Sequence, residues 1–202
     1  MLTLYHSPQS RSTRVVQLIH EMGKQDQVAI RTVGIARNDG SGAPDPANPH
    51  PEGKVPLLVH DGAQVRESNA VMLYLTDHFA DSPLGRPVGH PSRGAYLSWL
   101  AWYGNVFEPV YLAQVGGIDS PVLTHAIRDV PTAVARLSEA LRDRDYLVDD
   151  AFSAADILVC STYAWFPKAV PEDAAIRAWV KRCLDRPAMT RVWAEDMARA
   201  AA

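Results

Sequence analysis

A change of pattern near residue 80 constrains the fold more than any other feature of this sequence. Before it, strand-like runs such as LTLY and VAIRTV alternate with helical runs, and after it only helical periodicity remains. The stretch between, ADSPLGRPVGHP, is rich in proline and glycine and is typical of a linker. The sequence therefore predicts an α/β domain over residues 1–79, a linker over 80–91 and an all-helical domain over 92–202.

The first part predicts one small sheet covered by helices. Apolar residues at helical spacing over Arg14–Met22, closed by Gly23, predict a helix. Two short runs on either side of Asp61-Gly62 predict a β-hairpin, and a second apolar stripe predicts a helix over Ser68–Phe79. The resulting order, β-α-β followed by β-β-α, indicates an α/β sheet layered with helices.

The second part predicts a series of helices interrupted by prolines. Pro109 marks a kink or break in the first, aromatic-rich helix, and Pro131 marks a second break. Ser153 and Asp156 have the spacing of a capping box, which predicts a structural helix start there. The predicted helical stretches are 92–113, 120–144, 152–166, 172–184 and 188–200.

The composition gives no indication of nucleic acid or a membrane as a partner. The net charge of −3 and the scattered basic residues give no reason to expect nucleic acid or an anionic membrane as partner. No apolar run approaches the ~20 residues of a membrane span, and we expect no signal peptide. Cys160 and Cys183 have neither metal nor redox spacing, so we expect no metal and a reducing, cytoplasmic location.

The segment SPQSRSTR, residues 7–14, concentrates four hydroxyl groups between the first strand and the first helix. Serine and threonine are favoured helix caps, and Ser12 and Thr13 are placed to cap the first turn. A helix N-terminus also favours an anion such as a thiolate. The residues alone leave two interpretations open, a capped turn or a catalytic hydroxyl at the start of the helix.

The segment EGKVP, residues 52–56, has an edge that could pair with a ligand. Pro56 cannot donate to a sheet ladder, so it belongs at an edge or at the first position of a strand. The proline pushes Val55 into an extended conformation, which leaves its backbone N–H and C=O free to pair with a peptide-like molecule. An ordinary edge strand explains the same residues.

The segment RESNA, residues 66–70, has the charges to bind an amino acid head group. Ser68 stands where a helix begins, and the free N–H groups of a helix N-terminus suit a carboxylate. Glu67 beside it offers a negative charge that suits an ammonium group. A capped helix with a solvated glutamate is the alternative interpretation.

The order of these segments resembles that of the cytosolic glutathione transferases. The resemblance rests on LYHSPQS, NPHPEGKVPLLVHDG, ESNAVMLYL, the linker position and FSAADILV, and it covers nearly the whole chain. It implies a thioredoxin-like N-terminal domain, an all-α C-terminal helical domain, a homodimer and a cis peptide bond before Pro56. It also implies glutathione as co-substrate, whose activated thiol attacks a small hydrophobic electrophile.

The resemblance also implies roles for the ligand-pairing residues. Val55, beside Pro56, pairs its backbone with the cysteinyl part of glutathione, and Glu67 with Ser68 holds the γ-glutamyl end. Lys54 approaches the glycyl carboxylate or the cysteinyl-glycine backbone. The alternatives are a glutathione-dependent isomerase, dehalogenase or peroxidase on the same site, or a non-catalytic binding protein of this fold.

A further candidate, His50, lies beside two prolines and equally suits a turn. In serine-type members of the family, the catalytic serine precedes an arginine or a similar residue of the first helix by four positions. Ser10 stands four residues before Arg14, so it is the predicted catalytic residue. Ser12 is the next candidate, and Arg11 is a candidate for adding positive charge near the sulfur.

Aromatic residues at helical spacing follow the linker. Such a stripe is more often part of a core, but some of its members could face a cleft. Tyr103 and Phe107 are the candidates for the electrophile pocket.

Overall fold

Two compact units make up the part of the chain that this computed structural model describes, residues 1–200. The first unit contains residues 1–82 together with 186–200, and the second contains residues 83–185. All four strands lie in the first unit, and the second is helical, as the sequence predicts. None of the helices in residues 1–200 has the length and apolar character needed to cross a membrane.

A mixed four-stranded sheet forms the centre of the first unit. The strands are β1 (Leu2–His6), β2 (Val28–Thr32), β3 (Leu57–His60) and β4 (Ala63–Arg66), in the spatial order β2-β1-β3-β4. Strand β1 runs parallel to β2 and antiparallel to β3, and β3 runs antiparallel to β4. Burial alternates along β1, so Leu2, Leu4 and His6 share its buried face. The arrangement confirms the predicted thioredoxin-like α/β domain.

Local turn chemistry explains where these elements end. Helix α1 (Thr13–Glu21) stops before Gly23, whose φ is +66°, and the N–H of Lys24 donates to the Ile19 carbonyl at 3.0 Å. Asp61 and Gly62 both have positive φ, which suits the two-residue turn between β3 and β4. Helix α2 (Ser68–His78) follows β4 directly.

The last helix departs from the predicted division of the chain. Helix α9 (Pro187–Ala200) belongs to the first unit, although the sequence assigned it to the helical domain of residues 92–202. It packs against α1, and Arg186 just before it makes a two-pronged ion pair with Glu21, with both N–O distances at 2.7 Å. These contacts join residues more than 160 positions apart, so the local pattern of the sequence does not reveal them.

The second unit is a group of helices around an aromatic core. Its first long helix is interrupted before Pro109 by a π-helical turn, Tyr103–Phe107, in which the N–H of Glu108 donates to the Tyr103 carbonyl. The predicted break is therefore confirmed. The other elements are α3 (Arg93–Trp102), α4 (Glu108–Val115), α5 (Pro121–Ile127), α6 (Val130–Leu141), α7 (Ala154–Trp165), a 3₁₀ turn (Pro167–Ala169) and α8 (Ala174–Leu184).

The start of α7 is closed by its own side chains. The buried carboxylate of Asp156 accepts the N–H of Ser153 at 2.9 Å and its hydroxyl at 3.0 Å, which confirms the predicted capping box. The same carboxylate accepts the Leu147 N–H and the Trp179 indole N–H, at 3.0 and 2.9 Å. One buried aspartate thus joins the helix start to two other parts of the unit.

Candidate functional site

The register of the sheet brings the three predicted segments to one edge. Strand β3 pairs antiparallel with β1 on one side and with β4 on the other. Both ladders end at Leu57, which pairs with Tyr5 on one side and with Arg66 on the other, so Val55, Ser7 and Ser68 each stand two residues beyond this common end. The hydroxyl-rich segment, the EGKVP segment and the start of α2 therefore meet at this edge.

The serine loop, residues 7–12, is a tight turn held from outside. Gln9 has a φ of +52°, a conformation that non-glycine residues rarely adopt. Arg37 donates to the carbonyl oxygens of Pro8 at 2.7 Å and Gln9 at 3.0 Å. The N–H of Gln9 donates to the carboxylate of Asp196, also at 3.0 Å. Contacts from two distant parts of the chain therefore set the shape of this loop.

Ser10 presents the accessible serine hydroxyl of the loop. It is partly exposed, whereas Ser7 and Ser12 are buried. Its Oγ donates to the Ser7 carbonyl at 2.7 Å, lies 2.7 Å from the Ser12 Oγ and accepts the Ser12 N–H at 3.2 Å. The hydroxyl is thus fixed in position by three contacts with two residues, Ser7 and Ser12.

Ser12 and Thr13 do not cap α1 through their hydroxyls. Ser12 has helical backbone angles instead of the extended ones of a capping residue, and no side chain caps the helix within the described residues. The Ser12 Oγ lies 2.8 Å from Nδ1 of His6 and accepts the Ser7 N–H at 3.1 Å. The Thr13 hydroxyl donates to Asp196 at 2.5 Å. These hydroxyls serve a buried polar network.

Val55 lies just before β3, at the end of the sheet where the serine loop and the start of α2 also lie. The Val55–Pro56 peptide bond is cis, as the resemblance implies. Val55 lies outside the β1–β3 ladder, and among residues 1–200 no hydrogen bond involves its backbone N–H or C=O. Both groups are available to a ligand.

The start of α2 is open, in contrast to the start of α7. Glu67 occupies the capping position with φ +69° and ψ +131°, a strained conformation for a residue with a side chain. The side chain of Glu67 makes no capping hydrogen bond, and the N–H of Ala70 donates to the side chain of Asn69 at 2.9 Å. Glu67 is exposed and Ser68 is partly exposed. The first N–H groups of the helix, those of Ser68 and Asn69, therefore lie next to a carboxylate that does not cap them.

Charged side chains surround this edge. Lys54 is exposed and forms an ion pair with Glu52 at 2.8 Å. The hydrogen bond and the charge of Glu52 raise the pKa of Lys54, with a further contribution from Glu67, while nearby Arg11 opposes the shift. Lys54 thus feels the charges of both Glu67 and Arg11.

His50 is a structural part of the loop that leads to Lys54. It is buried, its Nδ1 accepts the N–H of Glu52 at 3.0 Å, and its own N–H donates to the side chain of Asn48 at 3.1 Å. Burial lowers the pKa of His50, although the charge of Glu52 opposes the shift. These contacts match the turn-forming interpretation, and a contact with ligand stays a prediction.

The two residues predicted for the electrophile pocket are buried in the second unit. The Tyr103 hydroxyl donates to Glu108 at 3.0 Å, and Phe107 packs against Trp102 and Tyr111, with ring centroids 4.9 Å apart in both pairs. Their side chains form part of the aromatic core of that unit. Their contact with an electrophile stays a prediction.

Two residues of the buried network were not singled out in the sequence. His6 is fully buried, and its Nε2 lies 3.0 Å from the carboxylate of Asp196, which is also buried. A signal was present for both. His6 lies on the same face of β1 as the apolar residues Leu2 and Leu4. Asp196 lies on the same face of α9 as the buried residues Met189 and Val192.

The network also sets the charge of Asp196. Burial raises the pKa of this carboxyl group, but hydrogen bonds from His6 and Thr13 outweigh the effect and bring the pKa below its ordinary value. Asp196 is therefore a carboxylate at neutral pH.

Within residues 1–200, no group of three or more His, Cys, Asp or Glu side chains is arranged to hold a metal ion. The absence of a metal from the reaction stays a prediction.

Comparisons with known proteins agree with this geometry. Residues 4–83 match the family model of the glutathione S-transferase N-terminal domain, and residues 106–187 match that of the C-terminal domain. The chain is 29% identical to Protein LigF of Sphingobium sp. over 147 residues, covering 54% of this chain and 57% of LigF. It is 27% identical to glutathione S-transferase U22 of Arabidopsis thaliana over 148 residues, covering 68% and 66%. The match spans less than two thirds of either relative.

A solved structure covers almost the whole chain. A sphingomonad glutathione S-transferase, complexed with glutathione, is 25% identical and has a TM-score of 0.76, covering 96% of this chain and 98% of that one. The two domain models match in the predicted order, and the solved structure confirms the fold. The chain therefore belongs to the glutathione S-transferase family.

Proposed function

We propose that this protein is a glutathione transferase whose Ser10 hydroxyl activates the glutathione thiol for attack on a small hydrophobic electrophile. The observation that carries the proposal is the meeting of three segments at one sheet edge: the serine loop, the available backbone of Val55 and the open start of α2. Family membership and the glutathione bound to the sphingomonad enzyme support it.

Each part of glutathione has a matching group at this edge. The N–H and C=O of Val55 suit the backbone of the cysteinyl residue, in the manner of an added strand. The uncapped N–H groups at Ser68 suit the γ-glutamyl carboxylate, and the carboxylate of Glu67 suits its ammonium group. Lys54 supplies a cation for the glycyl carboxylate, and Arg11 adds positive charge nearby.

The chemistry requires a thiolate. A free thiol has a pKa of about 8.5, so little is ionised at neutral pH. A bound-state pKa of about 6.5 corresponds to about 2.7 kcal/mol of selective stabilisation of the anion. One hydroxyl hydrogen bond to sulfur and the N-terminus of α1 can each supply part of this free energy. The accessible position of Ser10 makes it the donor, whereas Ser12 is enclosed.

We further propose that the protein is a homodimer, as is usual in the family, and works in the cytoplasm. A reducing compartment suits the two free, buried cysteines, Cys160 and Cys183. Sedimentation of the purified protein tests the dimer.

The test combines binding with turnover. We expect glutathione to bind in calorimetry, and Ser10→Ala to lower kcat/KM for a general electrophile about 100-fold, the usual effect of losing one donor to a developing anion. The matched control is Ser98→Ala, at an exposed serine of α3, which should leave kcat/KM unchanged. No glutathione binding by the wild type would contradict the proposal. Binding without any conjugation would favour another glutathione-dependent reaction or a non-catalytic role.

A further inference from the structure

A continuous chain of hydrogen bonds links a buried carboxylate to Ser10. Asp196 Oδ1 lies 3.0 Å from His6 Nε2, and His6 Nδ1 lies 2.8 Å from Ser12 Oγ. Ser12 Oγ in turn lies 2.7 Å from Ser10 Oγ. The inner three groups are buried, and Ser10 at the outer end is partly exposed. The chain therefore runs from the interior to the place where a ligand can arrive.

The chemistry of each group fixes the direction of these bonds. The carboxylate of Asp196 only accepts, so the proton of a neutral His6 ring lies on Nε2 and its Nδ1 is an acceptor. The Ser12 hydroxyl therefore donates to Nδ1 at 2.8 Å, which is a shorter contact than that with the Ser7 carbonyl at 3.3 Å. The Ser12 oxygen accepts the N–H of Ser7 at 3.1 Å and has one remaining acceptor position, which faces the Ser10 hydroxyl.

This direction leaves Ser10 ready to accept a proton. Its hydrogen is directed to Ser12 Oγ or to the Ser7 carbonyl, each 2.7 Å away. One of its two acceptor positions takes the N–H of Ser12 at 3.2 Å, and the other is left for a ligand. A thiol that approaches Ser10 would first meet an acceptor.

We propose, on the basis of the proposed function, that His6, supported by Asp196, takes up the proton of the glutathione thiol through Ser12 and Ser10. The S–H bond breaks as the proton passes to Ser10 Oγ. Ser10 gives its own proton to Ser12, and Ser12 gives its proton to His6 Nδ1. The electron pair stays on sulfur. The products are a thiolate that now accepts a hydrogen bond from Ser10, and an imidazolium paired with the Asp196 carboxylate.

The carboxylate of Asp196 favours this outcome. The buried imidazolium forms against a carboxylate at 3.0 Å, so the pair as a whole carries no net charge. The lowered pKa of Asp196 keeps that carboxylate ionised. The charged residues on the neighbouring elements are Arg14 and Glu21 on α1, Arg31 on β2, Arg37 in the loop after β2, and Arg191, Glu195, Asp196 and Arg199 on α9.

Asp196 also has a structural role, because it accepts the N–H of Gln9 and the hydroxyl of Thr13. Loss of activity in a variant would therefore not distinguish a proton acceptor from a structural tie. The distinguishing quantity is the destination of the thiol proton. The relay keeps that proton on the protein, whereas direct ionisation releases it to the buffer.

The test counts protons and thiolates on the same complex. Calorimetry of glutathione binding in buffers of different ionisation enthalpy gives the protons released, and the ultraviolet absorbance of the thiolate gives the thiolate formed. For the wild type at neutral pH we expect a thiolate with a proton-to-thiolate ratio well below one. His6→Asn, which keeps an acceptor for Ser12, should either raise the ratio to one or lower the thiolate fraction about 10-fold.

A second variant and a matched control complete the design. Ser12→Ala interrupts the chain while His6 and Asp196 remain, and it should behave as His6→Asn does. His60→Asn is the control, since His60 Nδ1 also lies against a hydroxyl, that of Tyr74 at 2.7 Å, outside this chain of bonds. It should keep the wild-type ratio.

The wild type alone decides the proposal even where a variant fails to fold. One proton released for each thiolate formed, or glutathione binding without any thiolate, would overturn the relay and leave the proposed function standing. No glutathione binding would overturn the proposed function, and the relay with it.

Discussion

Two buried aspartates organise the two units in similar ways, yet they differ in the groups that donate to them. Asp156 at the start of α7 and Asp196 on α9 each accept several hydrogen bonds, including one from an aromatic ring N–H, that of Trp179 or His6. The donors to Asp156 are backbone groups, a hydroxyl and an indole, none of which can pass on a proton in the physiological range. The donors to Asp196 include an imidazole whose other nitrogen continues to Ser12.

The starts of α7 and α2 differ in how far side chains cap their N–H groups. The start of α7 is closed by Ser153 and Asp156, in extended backbone that any residue adopts. At the start of α2 the side chain of Glu67 makes no capping hydrogen bond, and its backbone is held in a strained conformation. We expect a closed and unstrained polar cluster to be structural, and an open and strained one to bind a ligand. Four predictions test this contrast.

The largest expected effect is on the structural aspartate. Asp156→Ala should lower the free energy of unfolding by about 3 kcal/mol, because several buried donors lose their acceptor. Urea unfolding measures this change, with Asp119→Ala at an exposed position as control. Glutathione affinity of the folded variant should match that of the wild type. A loss of affinity without loss of stability would erase the distinction between the two clusters.

The next expected effect is that of changing Asp196, and it includes both a loss of stability and a loss of activity. Asp196→Asn should lower kcat/KM about 10-fold. It should cost about 1–2 kcal/mol of stability, since the amide keeps one acceptor of the two that bind His6, Gln9 and Thr13. Steady-state conjugation and urea unfolding check the two values. Unchanged kcat/KM at reduced stability would make Asp196 as purely structural as Asp156.

Substitutions of Glu67 test whether its strained backbone is linked to ligand binding. Glu67→Gly should weaken glutathione binding about 10-fold, because the ammonium group loses its partner. It should also raise the free energy of unfolding by about 1 kcal/mol, because glycine adopts positive φ without strain. Glu67→Gln is the control that loses the charge and keeps the strain. Equal affinity in all three proteins would contradict the role of Glu67.

The smallest effect is a difference in pH dependence. The folded-state pKa of Asp196 is lowered, so its stabilising contribution is present above the unfolded pKa of about 3.9 and is lost as pH falls through the folded value. Burial raises the pKa of Asp156, so its contribution is greatest at low pH and declines as pH rises through the folded value. Asp196→Asn should flatten the acid loss of stability, and Asp156→Asn should steepen it. Urea unfolding across the acid range measures both slopes, and equal slopes would contradict the assignment.

Local sequence signals were sufficient for the elements and for the residues that line the sheet edge. Gly23, the Asp61-Gly62 turn and the spacing of Ser153 and Asp156 each act within a few residues, so their effects can be inferred without the fold. The position of α9 and the link between His6 and Asp196 join opposite ends of the chain. No local pattern specifies such a pairing, although a carboxylate on the apolar face of a helix indicates that one exists.

The burial of the hydroxyls in the serine loop could not be predicted from the sequence either. The sequence could place Ser10 and Ser12 near the start of α1, but it could not tell which of them is buried. That depends on the turn at Gln9, whose positive φ is held by Arg37 and Asp196. Long-range contacts therefore decide which hydroxyl is accessible.

A crystal structure of the protein with glutathione tests the central claim most directly. We expect the glutathione sulfur within hydrogen-bonding distance of Ser10 Oγ, with the cysteinyl backbone paired to Val55 and the γ-glutamyl end at Glu67 and Ser68. A sulfur directed away from the serine loop, or a ligand bound elsewhere on the chain, would contradict the account.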